Sequence, residues 1–404
     1  MIHVPKGGKA VCNPPLVDWK EAARKNGALL DTLKTGRLRE NWRKTSLALA
    51  AEYMDSLSLP VPEIRKDAPL VIAGHQPFFF HPGIIYKYGL IAQAASHGMT
   101  PIFISVDSGP CDGFPVRLPA YRQEDGKYSR VVHMMLPSAH AAFYSDAVGK
   151  PGSLKEFGGN ALREISSLPG NPFPHGRKFL KRELEQPLPE KVRDAMVVLR
   201  GKYEPKWAAA VLELPLSILC DTPEFYEFAF DMISKADGLR RLFNTTLTGY
   251  RKEHHIRSKA NPFPDLAKTE YGASETLLWI VDETGRKPLF VKHDGEKISI
   301  PGKGVTAASG DELMSACREN GIWIWPKAVA LSLMLRLFIA DLFVHGIGGE
   351  HYDRITNRLM PQLYGIKPPL FVTASYTPAA PGMDDPEPGL VRLKEKLQII
   401  YCCF

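Results

Sequence analysis

The sequence has 404 residues, 44% hydrophobic and 24% charged, with a formal net charge of +7. These are ordinary globular values that exclude a disordered chain or a fibre, and the length accommodates one large domain with insertions or two domains. The basic excess is spread thinly without a long Lys/Arg block, which argues against nucleic acid as a partner and leaves a solvated basic surface or a basic pocket for an anionic small molecule.

Residues 17 to 57 show helical spacing through Trp19, Ala22, Ala23, Leu29, Leu30 and Leu33, then Leu47, Ala50, Tyr53, Met54 and Leu57. Leu59-Pro60-Val61-Pro62 stops this run, so residues 1–62 read as an N-terminal helical cap. The core begins in residues 63–150. Leu70-Val71-Ile72-Ala73 is an apolar strand, and Gly74 to Pro82 is a turn-rich loop. Ile84, Ile85, Tyr88, Ile91, Ala92 and Ala95 then mark one face of a helix with Pro82 in its first turn. Pro101 to Val106 is a second strand, closed by Asp107. The unit is βαβ, with a right-handed crossover and two parallel strands expected.

Val131 to Leu136 suggests another strand, and the Gly/Pro/Asn-rich stretch 150 to 180 suggests a loop. Residues 151–260 read as a mainly helical insertion, with helices at Val192–Leu199, Trp207–Ile218 and Pro223–Arg251. Residues 261–375 are expected to complete the α/β core. Strands are predicted at Thr276–Val281, Pro288–Val291, Lys297–Ile300 and Trp323–Trp325. Ala328 to Val344 is nearly all apolar and predicts a buried helix. At 17 residues, with Arg336 and Asp341 inside, it is too short and too charged to span a bilayer. A glycine loop, 346–349, and a helix over 350–363 follow. Residues 376–404 form a Pro-rich tail. No internal repeat is present.

The six cysteines form no CxxC pair and match no zinc spacing. The start Met1-Ile2-His3-Val4-Pro5-Lys6 lacks the apolar run of a secretory signal. Free thiols and a cytoplasmic location are expected. No residue is assigned to a metal.

Three groups of residues carry chemistry. The first is Gly74-His75-Gln76-Pro77 to His81-Pro82-Gly83, between a parallel strand and a helix start, where open α/β sheets bind ligands and free N–H groups attract phosphate. His75 and His81 are suited to donating to phosphate oxygens or stabilising a leaving group. The alternative is that they cap the helix and fill a turn, with Phe78 to Phe80 in the core. The second is Asp341 and His345, i and i+4 on one helix and so on one face, where the carboxylate is placed to orient the imidazole, followed by Gly346, Gly348 and Gly349, which let backbone approach a ligand. A helix stop is the plainer reading. The third is Asp107 with Asp112, past the second strand, placed for a substrate amine, a ribose or Mg²⁺, or simply as solvated loop carboxylates. The basic run Arg251 to Lys259 reads as a charged helix end, and Cys111 as an inert thiol.

The histidine loop resembles that of class I nucleotidyltransferase-like, Rossmann-like folds. Gly74-His75-Gln76-Pro77, Phe80 and Tyr86-Lys87 together resemble the G-Q-Q-P…Y-K segment of the bacillithiol-biosynthesis cysteine ligase (BshC) family. Pro326-Lys327 and Gly346-Ile347-Gly348-Gly349-Glu350-His351-Tyr352 resemble its late G-x-G-x-x-x-Y segment, and Tyr364-Gly365 and Pro368-Pro369 extend the likeness. Asp341 to Gly349 is more similar still to uncharacterised bacterial relatives of those ligases. The resemblance covers about residues 70–115 and 320–375.

The resemblance implies a Rossmann-like parallel core with a helical insertion. It also implies a pocket for ATP, ADP or another nucleotide, and condensation of a thiol-bearing amino acid with a sugar-linked substrate. His75, His81 and Asp107 would be catalytic. Gly74, Gln76, Gly83, Lys87, Asp112, Asp341, His345, Gly346, Gly348, Gly349 and Tyr352 would bind substrate or nucleotide. The sequence departs from the family where its acidic-histidine motif is replaced by Asp107-Ser108-Gly109-Pro110-Cys111-Asp112, and where His75 stands for Gln. The family's C-terminal coiled coil is also missing. A non-catalytic metabolite-binding protein on the same fold is the alternative. A small-molecule substrate is the expected partner, no membrane is expected, and a homo-oligomer is left open. The 74–83 and 345–352 segments are expected to share one site.

Overall fold

The computed structural model describes residues 9–377 except 66, 78–81, 112–113, 123, 125, 136–142, 149–152, 170–173 and 184. The chain opens with β1 (Lys9–Asn13), α1 (Trp19–Leu30) and α2 (Leu38–Ser56). The βαβ unit follows as β2 (Leu70–His75), α3 (Pro82–Ser96) and β3 (Thr100–Ser105), and then a hairpin of β4 (Phe114–Arg122) and β5 (Lys127–Met135). Helices α4 (Ser153–Ser166), α5 (Pro174–Glu183), α6 (Val192–Tyr203) and α7 (Pro205–Ala208) lead to β6 (Leu212–Pro215). After α8 (Leu216–Leu219), α9 (Pro223–Ser234) and α10 (Ala236–Glu253) come β7 (Ser274–Asp282), β8 (Gly285–Asp294), β9 (Lys297–Ile300) and β10 (Val305–Ala307). The chain closes with α11 (Gly310–Glu319), β11 (Trp323–Pro326), α12 (Ala328–Met334), β12 (Leu342–His345), α13 (Ile347–Tyr364) and β13 (Phe371–Thr377).

The fold is mixed α/β, built on a six-stranded sheet in the order β1-β13-β12-β2-β3-β6. Its last five strands are mutually parallel, and only β1 runs antiparallel, against β13. Counted from β6 inward, these five strands stand third, second, first, fourth and fifth in the chain. The direction of growth therefore reverses between β2 and β12. Both faces of the sheet are covered, which is why its strands read as unbroken apolar runs. Leu70, Ile72, Ile102, Ile104, Leu212, Leu214 and Phe343 enter one core, with Trp42 and α9. Val71, Ala73, Phe103, Leu342, Val344 and Val372 enter the other, with Trp19 and α3.

Several expectations are corrected. The N-terminal segment is more than a helical cap, because β1 extends the main sheet. The helix expected over Trp207–Ile218 is interrupted by β6, the edge strand beside β3. The 223–251 helix breaks at Lys235, where φ is −109° and ψ is 14°. The presumed loop at 150–180 holds α4 and α5. The strands expected over 276–325 form a separate antiparallel sheet, β10-β9-β8-β7-β11, rather than joining the parallel one. Its inner residues Leu277, Leu278, Ile280 and Leu289 nevertheless share a continuous core with Ile72 and Ile102. The 328–344 stretch is not one helix. α12 passes into a π-helical turn at Leu335–Ile339, Ala340 turns extended, and the rest is β12. An apolar run buried on all sides carries no period that separates helix from strand. Among the described residues no helix is long and apolar enough to cross a membrane. No disulfide forms among them, and Cys111, Cys220 and Cys317 are buried. The Pro-rich tail beyond 377 lies outside the described residues.

Candidate functional site

β2 and β12 are parallel neighbours with Val344 opposite Ala73, so Gly74-His75 and His345 leave the sheet side by side at its carboxyl edge. The chain turns there into α3 on one strand and α13 on the other. Gly74 is required by the close approach of β3. A Cβ on it would stand 3.0 Å from the Ile104 carbonyl oxygen and 3.2 Å from the Ile104 Cβ. Gly346 precedes the first turn of α13 in an extended conformation, with no side-chain cap. The expected glycine loop is therefore corrected: Gly348 and Gly349 lie inside the first turn of the helix. The N–H groups of that turn have no partner within the helix and present partial positive charge.

His345 is held by a buried polar cluster. Its Nε2 donates to Asp353 Oδ2 at 2.7 Å, and Asp353 also accepts from Ser332 and Arg336. Arg336 donates further to Asn357 Oδ1 at 2.8 Å and to the Pro369 carbonyl at 2.6 Å. The imidazole lies between Phe343 and Phe371, with ring centroids 4.5 and 5.0 Å away. Burial works to raise the Asp353 carboxyl, but Arg336, His345 and the hydrogen bonds hold it well below the usual carboxylate range. An ionised carboxylate only accepts, so Nε2 carries the proton and Nδ1 keeps its lone pair. Burial is the largest influence on His345 and lowers its pKa. Asp353 opposes this, and Arg336 and Lys87 add to it. The ring is therefore neutral near pH 7, with Nδ1 as its basic atom. Nδ1 faces α13, where a Cβ on Gly349 would come within 2.7 Å of it.

Lys87, on the second turn of α3, reaches into the same corner. Its ammonium donates to the Gly74 carbonyl at 3.0 Å, and its side chain is buried. Among the described residues no carboxylate pairs with it. Burial alone lowers its pKa to about 8. A buried cation with no counter-ion is costly unless something anionic visits it.

The remaining expected residues divide. His75 and Gln76 are half-buried beside this corner, with His75 Nδ1 donating to the Gln76 carbonyl at 3.3 Å, and Gly83 is buried. His81 and Asp112 lie outside the described residues. Tyr352 packs on Phe263 with centroids 5.4 Å apart. Asp107 sits at the carboxyl edge as expected but is fully buried, so it is not a solvated loop carboxylate. Its oxygens accept from Arg193 at 2.8 Å and from the Ser217 amide and hydroxyl at 2.8 and 2.6 Å. Asp341 is corrected more sharply. It precedes β12 at the opposite, amino edge of the sheet, where it binds Arg39 at 2.6 Å, Arg43 at 2.9 Å and the Leu70 amide at 2.7 Å. The carboxylate that orients His345 is Asp353. Arg251, in the basic run, holds the following loop through the Asn261 carbonyl at 2.9 Å and Asp265 at 2.7 Å.

Sequence reading missed Asp353, Ser332 and the role of Arg336. Asp353 is eight residues from His345 across a strand–helix turn, a spacing that belongs to no local motif. The one available signal was an arginine inside an otherwise apolar run, since a buried arginine needs a partner. Among the described residues no group of three or more His, Cys, Asp or Glu side chains is arranged to hold a metal ion. No protein-family model matches the chain, and comparison with curated proteins gives no match.

Proposed function

We propose that the chain binds a nucleotide or another phosphate-bearing small molecule at the carboxyl edge between β2 and β12, on a core of the Rossmann-like kind. Ligands of open α/β sheets favour the crevice where strand order reverses, and the reversal here falls at that pair. The observation that carries the reading is Lys87, an ammonium buried without an acid partner among the described residues, beside the amino end of α13. A phosphate there would neutralise it and accept from the first-turn N–H groups of Gly348 and Gly349. His345 supplies proton chemistry. Its Nδ1 would take the proton from an amine or thiol as that nucleophile adds to an electrophilic carbon and the leaving group departs. That is a ligase-like condensation, in line with the likeness to the bacillithiol-biosynthesis cysteine ligases.

A second reading, a binding protein without catalysis, is favoured by the enclosure of Asp107, which removes one expected catalytic group. Calorimetric titration with ATP, ADP, AMP and inorganic phosphate tests the site. At least one should bind saturably, and Lys87→Met should weaken it about tenfold or more, equivalent to about 1.4 kcal/mol. Absence of binding, or equal affinity in the variant, would refute the site. ATP consumption stimulated by an added amino acid, cysteine included, would separate enzyme from binder.

A further inference from the structure

We propose that Arg286, stacked on Trp279 at the carboxyl edge of β3, is a second anion-recognising position that takes a carboxylate or phosphate group of a small molecule. The position is built by the antiparallel sheet and does not depend on what occupies the Lys87 corner. β7 runs between β8 and β11. Trp279 on β7 is flanked from both neighbours, with the Arg286 guanidinium 4.6 Å and the Lys327 ammonium 4.7 Å from its ring centroid. Lys327 is neutralised by Glu275 at 2.5 Å, and the other oxygen of Glu275 accepts from the Ala267 amide at 2.8 Å. No acid remains for Arg286 among the described residues.

Arg286 instead crosses to the main sheet, where Nη1 donates to the Ser108 carbonyl at 2.8 Å. Ser108 lies three residues past the end of β3. Two residues earlier, the Val106 amide donates to the His75 carbonyl at 2.8 Å. Arg286 thus stands on the same edge of the parallel sheet as Lys87 and His345. Nε and Nη2 of Arg286 donate to no protein group among the described residues. The contact with the indole and the bond to the Ser108 carbonyl hold the guanidinium in place. A planar fork with two free donors suits two oxygens of one carboxylate or phosphate, at low ordering cost. The half-buried indole adds an apolar wall and sits close enough to report on occupancy.

The test follows the indole N–H resonance of Trp279, assigned with Trp279→Phe, while inorganic phosphate or acetate is added to the full-length protein. Sodium chloride at matched ionic strength is the control. One of the two anions should shift the resonance saturably in the parent and in Lys87→Met. The anion that does so identifies the group recognised. The shift should be lost in Arg286→Gln and retained, with weaker affinity, in Arg286→Lys. A parent resonance that responds to neither anion beyond the chloride control would overturn the proposal. So would an unchanged saturable shift in Arg286→Gln. A shift that disappears in Lys87→Met would also overturn it, by assigning the effect to the other corner.

Discussion

Lys87 has opposite consequences for stability and for binding. Its pKa is lowered by burial to about 8 in the folded chain, against an ordinary 10.5. Below pH 8 both folded and unfolded states hold the proton, and the folded state bears the full cost of the buried charge. Between about 8 and 10.5 the unfolded chain binds more protons, so stability from this group rises with pH. Lys87→Met should therefore stabilise the ligand-free protein at pH 7, by up to roughly 3 kcal/mol, in urea denaturation. The same group predicts that phosphate affinity declines as pH rises through about 8, where the ammonium is lost. A variant less stable than the parent at pH 7, or an affinity flat from pH 7 to 9.5, would count against an unpaired charge. The sequence showed Lys87 only through a resemblance. Nothing in Tyr86-Lys87 itself says that the lysine points inward, because burial is decided by packing against β2 and β3.

At the scale of elements, the βαβ unit was legible because its strands are short apolar runs and its helix has a clear 3.6-residue period. The stretch after it was not. Ala328 to Val344 lacks polar punctuation, so the change from α12 through a π turn into β12 left no mark in periodicity. That change moves Asp341 and His345 from one helical face to opposite ends of a strand, roughly 13 Å apart at 3.3 Å per residue. Their roles separate accordingly. Asp341 ties α2 to the amino ends of β2 and β12 through Arg39 and Arg43. Asp341→Ala should cost about 3–5 kcal/mol, as removing one partner of a buried ion pair does. Ligand affinity at the carboxyl edge should stay unchanged wherever the variant remains folded. A loss below 1 kcal/mol in denaturant titration would show that the arginines find other partners.

The arrangement of the whole molecule lay beyond local reading. Strand order is a matter of non-local pairing, and β12 joins β2 across 271 residues, the separation of Asp341 and the Leu70 amide it binds. The 74–83 and 345–352 segments were expected to share a site. β2 and β12 pair as neighbours, so Gly74-His75 and His345 adjoin at one edge of one sheet, and residues 78–81 lie outside the described part. The antiparallel sheet was not anticipated as a separate layer, because each of its strands looks alone like a core strand. A groove lined by Leu242, Thr245, Thr246 and Gly249 of α10 with Arg358, Pro361 and Gln362 of α13 competes as a ligand site. It lies toward the far end of α13 from Gly348, and no buried unpaired charge lines it. A crystal structure of the protein grown with saturating ATP or ADP decides between the two places. The expected result is a phosphate group within hydrogen-bonding distance of Lys87 Nζ and of the Gly348 and Gly349 amides. A nucleotide seated in the α10–α13 groove, or an empty β2–β12 edge at saturation, would contradict it.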